Sequence, residues 1–331
     1  MSTLYILGNG FDLAHGLPTS YKRFAEILKQ KDEILYNELT DLYFDGNEEL
    51  WKHFEQKIGH TTQKSIQKIK KFIQKKYIQN KDKNFLPLNT VLDLLDPNSI
   101  NYELNESMKQ MVGEANQKLD PLSHKTQKNP FTLDDFFITF NYTSTLEFLY
   151  KIPHNHILHV HNKLSYKNDG LIFGNTVNNV FSMPNLGNLL GNLVVETFKE
   201  LDNTSININE RRERYLNNNT DIKKIKESFV KHIQQLNTFF IKKINIPLSN
   251  VIQFSNSISN SISKICVFGH SLAPVDMNYF EEIKINIPHA TWYVHYFDDM
   301  NDIEKSAIKL LGDPYTETFC ESDKCFIFSP K

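Results

Sequence analysis

Cysteine is scarce in this chain. Cys266, Cys320 and Cys325 form an odd set without Cys-x-x-Cys spacing, which argues against a disulfide framework and against a cysteine zinc site. A reducing cytoplasm fits that usage. Glycine and proline are sparse as well, 12 of each in 331 residues, about 7% together where an average protein carries about 12%. Long helices are therefore favoured over a turn-rich all-β architecture. No charge predominates: 37 Lys and Arg stand against 39 Asp and Glu, a formal net charge of -2. Nothing global draws the chain to nucleic acid or an anionic membrane. Long apolar runs are missing too. The uncharged stretch 171–195 is broken by six Asn and by Pro184, which are expensive to bury in hydrocarbon, so no membrane span is expected. The segment from Met1 to Asp12 places an acidic residue and two glycines where a secretory signal needs a long apolar region. A cytoplasmic location is expected. What remains, 40% hydrophobic and 12% aromatic residues, excludes a disordered chain and suffices for a full core.

Leu4-Tyr5-Ile6-Leu7 is a short apolar run closed by Gly8-Asn9-Gly10, and helical period resumes beyond Pro18. This reads as strand, tight turn and helix. From Tyr21 to Phe44, the residues Phe24, Ile27, Leu28, Ile34, Leu35, Leu39 and Leu42 mostly recur at three or four, predicting one or two amphipathic helices. A second helical patch carries Trp51 and Phe54. Eight lysines between Thr61 and Lys83 are threaded by Ile66, Ile69, Phe72, Ile73 and Tyr77, the pattern of a lysine-solvated helix. Residues 102–118 predict another helix. Short β-rich runs follow at 135–141, 156–161, 171–174, 265–268 and 291–297, with a last edge strand at 325–328. Helical periods lie at 144–150, 222–244 and 302–311, an Asn-rich loop at 217–219, and a polar connector at 255–263. Strands alternating with helices imply parallel pairing. The expected architecture is one α/β domain over 1–331, a doubly wound parallel sheet with helical insertions at approximately 21–130 and 183–255.

Ligands of such sheets bind at the carboxyl ends of the strands, where helix N-termini offer free N–H groups. Four predicted strand ends carry unusual polar residues: Gly8-Asn9-Gly10-Phe11-Asp12, Thr139-Phe140-Asn141-Tyr142, His159-Val160-His161-Asn162 and Gly269-His270-Ser271. Gly8 and Gly10 suit a turn that brings N–H groups close to a phosphate. Leu13 stands where the third glycine of the dinucleotide fingerprint would fall, so a plain glycine turn also fits. Asp12 sits where an anion would enter, either capping the helix or facing a ribose hydroxyl. His159 and His161 lie two apart, and on a strand both point to one face. With His154 and His156 they suggest a metal cluster, but no compact acidic set lies nearby. A single general-base histidine fits better, and no metal site is expected. Cys266, inside an apolar run, reads as an inert core residue.

At these residues the sequence resembles the AbiH family of bacterial abortive-infection proteins. The matching motifs are Leu7-Gly8-Asn9-Gly10-Phe11-Asp12 with Gly16-Leu17-Pro18-Thr19-Ser20-Tyr21, Trp51 with Phe54-Glu55, Thr139-Phe140-Asn141-Tyr142, His159-Val160-His161, and Phe268-Gly269-His270-Ser271-Leu272 with Asp276. More distantly, the series is similar to the sirtuin-like NAD-binding fold. That resemblance implies a Rossmann-like, sirtuin-like sheet with Asn141 and His161 at a reacting ribose. It places Gly8 and Gly10 at the phosphates and Gly269 and Ser271 along the nucleotide; together with Asn9, Asp12, Thr139, His159, His270 and Asp276 from the strand ends and motifs, these are the expected nucleotide-binding residues. Asn162 stands where the pattern has glycine, and Asp12 where sirtuins have a small residue. The zinc-binding cysteine module of classical sirtuins is missing, so protein deacylation is not expected.

The expected function is a phage-defence abortive-infection effector that cleaves the nicotinamide–ribose bond of NAD+. Nicotinamide is a cationic leaving group, so such a site needs neither metal nor covalent nucleophile. NAD+ enters as substrate or ligand, and no cofactor is expected. Two readings stand beside this one: a metal-dependent nuclease or phosphohydrolase using His159 and His161 with Asp12 or Asp276, and a non-catalytic nucleotide-binding sensor. A phage-derived activator and a homo-oligomer are left open as partners. Nucleic-acid contact through the helix from Lys64 to Lys83 is not favoured.

Overall fold

The computed structural model describes residues 2–58, 97–123, 130–164, 171, 245–296, 300–312, 315–320 and 323–329. In β1 (Ser2–Leu7) the side chains alternate between two apolar clusters, Leu4 and Ile6 in one, Tyr5 and Leu7 in the other. Such alternation puts both faces of a central strand against cover. Beside β1 run β2 (Phe136–Thr139) and β4 (Ile262–Phe268), with β3 (Ile157–His159) outside β2 and β5 (Thr291–Tyr296) outside β4, all pairing in parallel. Antiparallel β6 (Thr316–Cys320) and β7 (Asp323–Phe328) complete a seven-stranded sheet of order β3-β2-β1-β4-β5-β7-β6. The chain moves outward from β1 to β3, then crosses back to the far side of β1 for β4 and β5. The reversal creates a switch point between the carboxyl ends of β1 and β4, the place where doubly wound sheets hold ligands. The mostly parallel α/β sheet is thus Rossmann-like in order.

The described helices are α1 (Asn9–Ala14), α2 (Tyr21–Lys31), α3 (Glu33–Tyr43), α4 (Phe54–Lys57), α5 (Pro97–Ser123), α6 (Thr145–Leu149), α7 (Asn245–Ile258), α8 (Met277–Asn286) and α9 (Met300–Leu311). The periodic stretch 21–44 is two helices because the Asp32 side chain accepts from Leu35 N–H at 2.9 Å and caps α3. Two expectations fail. Residues 255–258 are the last turn of α7, not a connector, since Val251 and Ile258 are buried in the sheet cluster with Tyr279, Phe280 and Ile283 of α8. The strand at 323–328 is not an edge: it pairs with β5 on one side and β6 on the other.

The chain divides into two units. The first, Met1–Ile27, Asn105–Thr176 and Lys242–Lys331, contains the sheet; the second comprises Leu28–Leu104 and Val177–Ile241. In the second unit Trp51 stacks on Phe44 and Tyr36, and its indole N–H donates to the Thr40 hydroxyl at 2.9 Å. The lysine-rich segment 64–83, the run 172–174, the loop 217–219 and the helical period 222–244 lie outside the described residues. Among the described residues no helix is long and apolar enough to cross a membrane.

Candidate functional site

At the switch point, the loops after β1 and β4 meet backbone to backbone. A Cβ on Gly8 would stand 2.5 Å from the Gly269 carbonyl oxygen, and one on Gly10 2.6 Å from Gly269 Cα. Gly269 itself is at φ +62, and a Cβ there would lie 2.3 Å from the Phe11 nitrogen. Glycine is required at all three positions by this approach. The N–H groups of Gly8 and Gly10 donate to the carbonyls of Phe268 and Gly269 at 2.9 and 2.8 Å. They are thus turned to a neighbouring loop rather than toward a phosphate. Asn9 is half-buried at the start of α1, and Ser271 is exposed on the β4 loop.

Asp12 is fully buried, and its carboxylate accepts one hydroxyl on each oxygen, from Thr143 at 2.7 Å and Thr145 at 2.8 Å. Burial pushes the carboxyl up, against the opposing effect of the two hydroxyls and of His15 and His159. It does not cap α1; it pins the loop after β1 to the loop after β2. Nearby, His159 is engaged at both ring nitrogens, Nδ1 by the Asn141 carbonyl at 3.2 Å and Nε2 by Glu147 Oε1 at 3.1 Å. Lys163 Nζ donates to the same Glu147 oxygen at 2.6 Å. Burial alone would raise Glu147, but His159 and Lys163 outweigh it and hold the carboxyl at about 2. Because β3 ends at His159 and the chain turns at Val160 and His161, the two histidines reach different partners. The shared strand face expected of them is not formed.

Thr139 pairs with His159 across β2 and β3, and two residues beyond each stand Asn141 and His161. The Thr139 hydroxyl accepts the Asn141 N–H at 3.1 Å. Asn141 is buried, and among the described residues neither atom of its side-chain amide has a hydrogen-bond partner. Leaving such a group unpaired costs about 1–3 kcal/mol, a cost that native structures tolerate where a function requires it.

Asp276 lies between two buried rings, with Oδ1 3.4 Å from His161 Nε2 and Oδ2 3.4 Å from His270 Nε2. The Leu272 N–H donates to His270 Nδ1 at 3.0 Å, so the neutral His270 ring carries its own proton on Nε2, facing the carboxylate. Leu272 is buried at φ +50, a conformation that costs a non-glycine residue about 1–3 kcal/mol and clusters at functional sites. Phe140 packs its ring 5.2 Å from His161 and 4.4 Å from His270, and Tyr279 lies 6.0 Å from His161. Asn162 adopts φ +63, the region where glycine is favoured and asparagine is tolerated. The turn after His161 therefore keeps a glycine-type backbone without a glycine.

Among the described residues no group of three His, Cys, Asp or Glu could hold a metal ion. Asp276 offers one oxygen to each ring, which bridges the histidines instead of focusing three donors on one point. The buried Asn141 amide can both donate to and accept from a hydroxyl, and the His161 ring sits among the aromatic rings of Phe140, Tyr142 and Tyr279. Cys266 is buried and its thiol is pushed up to about 12 by burial, in keeping with an unreactive core residue.

Sequence reasoning missed Thr143, Thr145, Glu147 and Lys163. The two threonines were findable, since a buried Asp12 needs donors and two hydroxyls follow Asn141 directly. Nothing local singles out Glu147, whose partners lie 12 and 16 residues away. A family model described as bacteriophage abortive infection AbiH matches residues 4–296, from β1 through β5. No curated protein and no solved structure matches the chain.

Proposed function

The chain belongs to the AbiH family of bacteriophage abortive infection, and from that premise we propose that it is an NAD+ glycohydrolase of phage defence, acting at the carboxyl ends of β2, β3 and β4. The buried amide of Asn141, unpaired among the described residues, carries this reading. Its Nδ2 donates to, and its Oδ1 accepts from, a ribose hydroxyl or the attacking water. His161 takes the proton of that water as its oxygen bonds to the ribose C1′. The C1′–N bond breaks, its electron pair leaves with neutral nicotinamide, and ADP-ribose and a proton complete the products. The apolar walls supplied by Phe140 and Tyr279 strengthen polar contacts to the developing oxocarbenium ion. In this reading the diphosphate is met by groups other than the Gly8 and Gly10 N–H, and Asn9 and Ser271 face the nucleotide.

The test incubates purified wild type, His161→Ala and Asn141→Ala with NAD+, with and without chelator, and follows nicotinamide and ADP-ribose by chromatography. Wild type releases both regardless of chelator, and each variant loses at least about 100-fold in rate. NAD+ left intact by the purified wild type and also in phage-infected cells sinks the proposal. Binding of NAD+ without cleavage in both settings points to the sensor instead.

A further inference from the structure

We infer that His159 is a positioning residue that acts as an imidazolium clamp, donating from both ring nitrogens to hold the Asn141 carbonyl against Glu147 of α6. Its catalytic consequence rests on the glycohydrolase reading, whereas its protonation state does not. Alternation along β3 sends Leu158 to one apolar cluster and Ile157 to the other. His159 therefore shares the Ile157 face, where Leu146 of α6 also packs. There the ring is closed at both ends, with Nδ1 3.2 Å from the Asn141 carbonyl oxygen and Nε2 3.1 Å from Glu147 Oε1. A carbonyl oxygen only accepts, and so does an ionised carboxylate. Glu147 is ionised at neutral pH, because against its burial His159 and Lys163 hold the carboxyl at about 2. A neutral imidazole has one N–H to give and would leave one of the two contacts with lone pair facing lone pair. Both bonds form together only when both nitrogens are protonated, and hydrogen bonds to the charged form favour that form.

The clamp reaches the proposed site through the backbone. The β2 ladder ends at Thr139. Beyond it the Asn141 main chain is held by side chains, its N–H by the Thr139 hydroxyl at 3.1 Å and its carbonyl by His159. Fixing both peptide groups fixes the direction in which Cβ leaves the chain, and with it the buried amide that is unpaired among the described residues. The charged groups around the His159 ring, among the described residues, are Glu147 of α6, Lys163 after β3 and Asp12 of α1, which feels the histidine through space. His154 is exposed and stands 3.7 Å from the same Glu147 oxygen. Lys163 repels a cation at His159, and the carboxylate that the two share offsets that repulsion.

The experiment records nitrogen chemical shifts of the His159 ring by long-range proton–nitrogen NMR at pH 7.5, where an ordinary histidine, titrating near 6.5, is about nine-tenths neutral. Wild type is expected to show both nitrogens protonated. Glu147→Gln sets an amide that can donate opposite Nε2, so its ring is expected to be neutral with the proton on Nδ1. His159→Phe keeps a ring and removes both donors, and kcat for NAD+ cleavage is expected to fall about tenfold or more with KM little changed. A wild-type ring with a single proton overturns the inference even if no variant folds. A doubly protonated ring in Glu147→Gln, or wild-type kcat in a folded His159→Phe, overturns it as well. A doubly protonated wild-type ring in a protein that cleaves no NAD+, purified or in phage-infected cells, upholds the clamp and removes the glycohydrolase reading.

Discussion

Two groups of buried polar residues share the carboxyl edge of the sheet, and they differ in how fully their hydrogen bonds are used. Around Asp12 and Glu147, close donors stand at the carboxylates: Thr143, Thr145, His159 and Lys163, at distances from 2.6 to 3.1 Å. Around Asn141 and Asp276, the amide is unpaired among the described residues, and Asp276 stands 3.4 Å from a ring nitrogen of each of two histidines. Asp12 has both oxygens bonded and ties two loops together, whereas Glu147 gathers its donors on Oε1 and keeps a buried Oε2 without a hydrogen-bond partner among the described residues. A cluster with unused capacity lowers stability and is retained where binding or catalysis needs it. The contrast is sharpest between the Asp12 carboxylate, bonded at both oxygens, and the Asn141 amide, bonded at neither atom among the described residues.

The contact between Gly8, Gly10 and Gly269 underlies both groups, because Asp12 rides on one of the two loops and His270 on the other. Gly269→Ala is therefore expected to have the largest effect, a loss of about 4 kcal/mol or more, enough to prevent accumulation of folded protein. Gly269→Asn sharpens the cause. Asparagine tolerates φ +62, but its Cβ still meets the Phe11 nitrogen at 2.3 Å, so it should fail like alanine. Thermal melts of both, followed by circular dichroism, decide this: recovery by asparagine would mean that backbone strain, not overlap, fixes the glycine.

The well-bonded group makes a pH signature of its own. Glu147 titrates at about 2 in the folded chain, down from 4.5, so its contribution is fully present above pH 4.5 and fades as pH falls toward 2. The shift corresponds to about 3 kcal/mol. Asp12 has the opposite sign: burial raises its carboxyl above 3.8, so the folded state holds that proton more tightly and stability declines as pH climbs above 3.8 through the folded value. Urea midpoints from pH 2 to 7 should show a flattened acid limb for Glu147→Gln, and for Asp12→Asn a smaller decline above pH 3.8. A Glu147→Gln curve parallel to wild type would mean that His159 and Lys163 do not hold that carboxylate.

The sheet was legible because its strands announce themselves. Leu4–Leu7 ends in Gly-Asn-Gly, Ile265–Phe268 ends in Gly-His-Ser, and alternation with helices dictates parallel pairing. The site was legible only as a set of strand ends. Asn141, His161, His270 and Asp276 are drawn from separate stretches, and which of them meet is decided by the order β3-β2-β1-β4, not by local pattern. Gly8 and Gly10 show the limit most clearly, since the same two glycines suit a phosphate or a neighbouring backbone. The sequence contains nothing to choose between those, whereas the bonds to Phe268 and Gly269 do. The strand at 323–328 was misplaced for a related reason: β6, its outer partner, has little apolar patterning in Thr316–Cys320 to reveal it.

The sharpest form of the comparison exchanges one residue from each group. Asp12→Ala removes the acceptor of two hydroxyls, but Thr143 and Thr145 lie 2.9 Å apart and can bond to each other. One hydroxyl proton is left unpaired, so a loss of about 1–3 kcal/mol is expected. Asn141→Leu replaces two polar atoms that are unpaired among the described residues by two methyl groups in the same branching, while the backbone N–H at 141 keeps its bond to Thr139. A gain of about 1 kcal/mol is expected, together with loss of NAD+ cleavage. The two substitutions should move the urea midpoint in opposite directions. If Asn141→Leu destabilises the fold as Asp12→Ala does, the amide is part of the scaffold, and the group with unused capacity is no site at all.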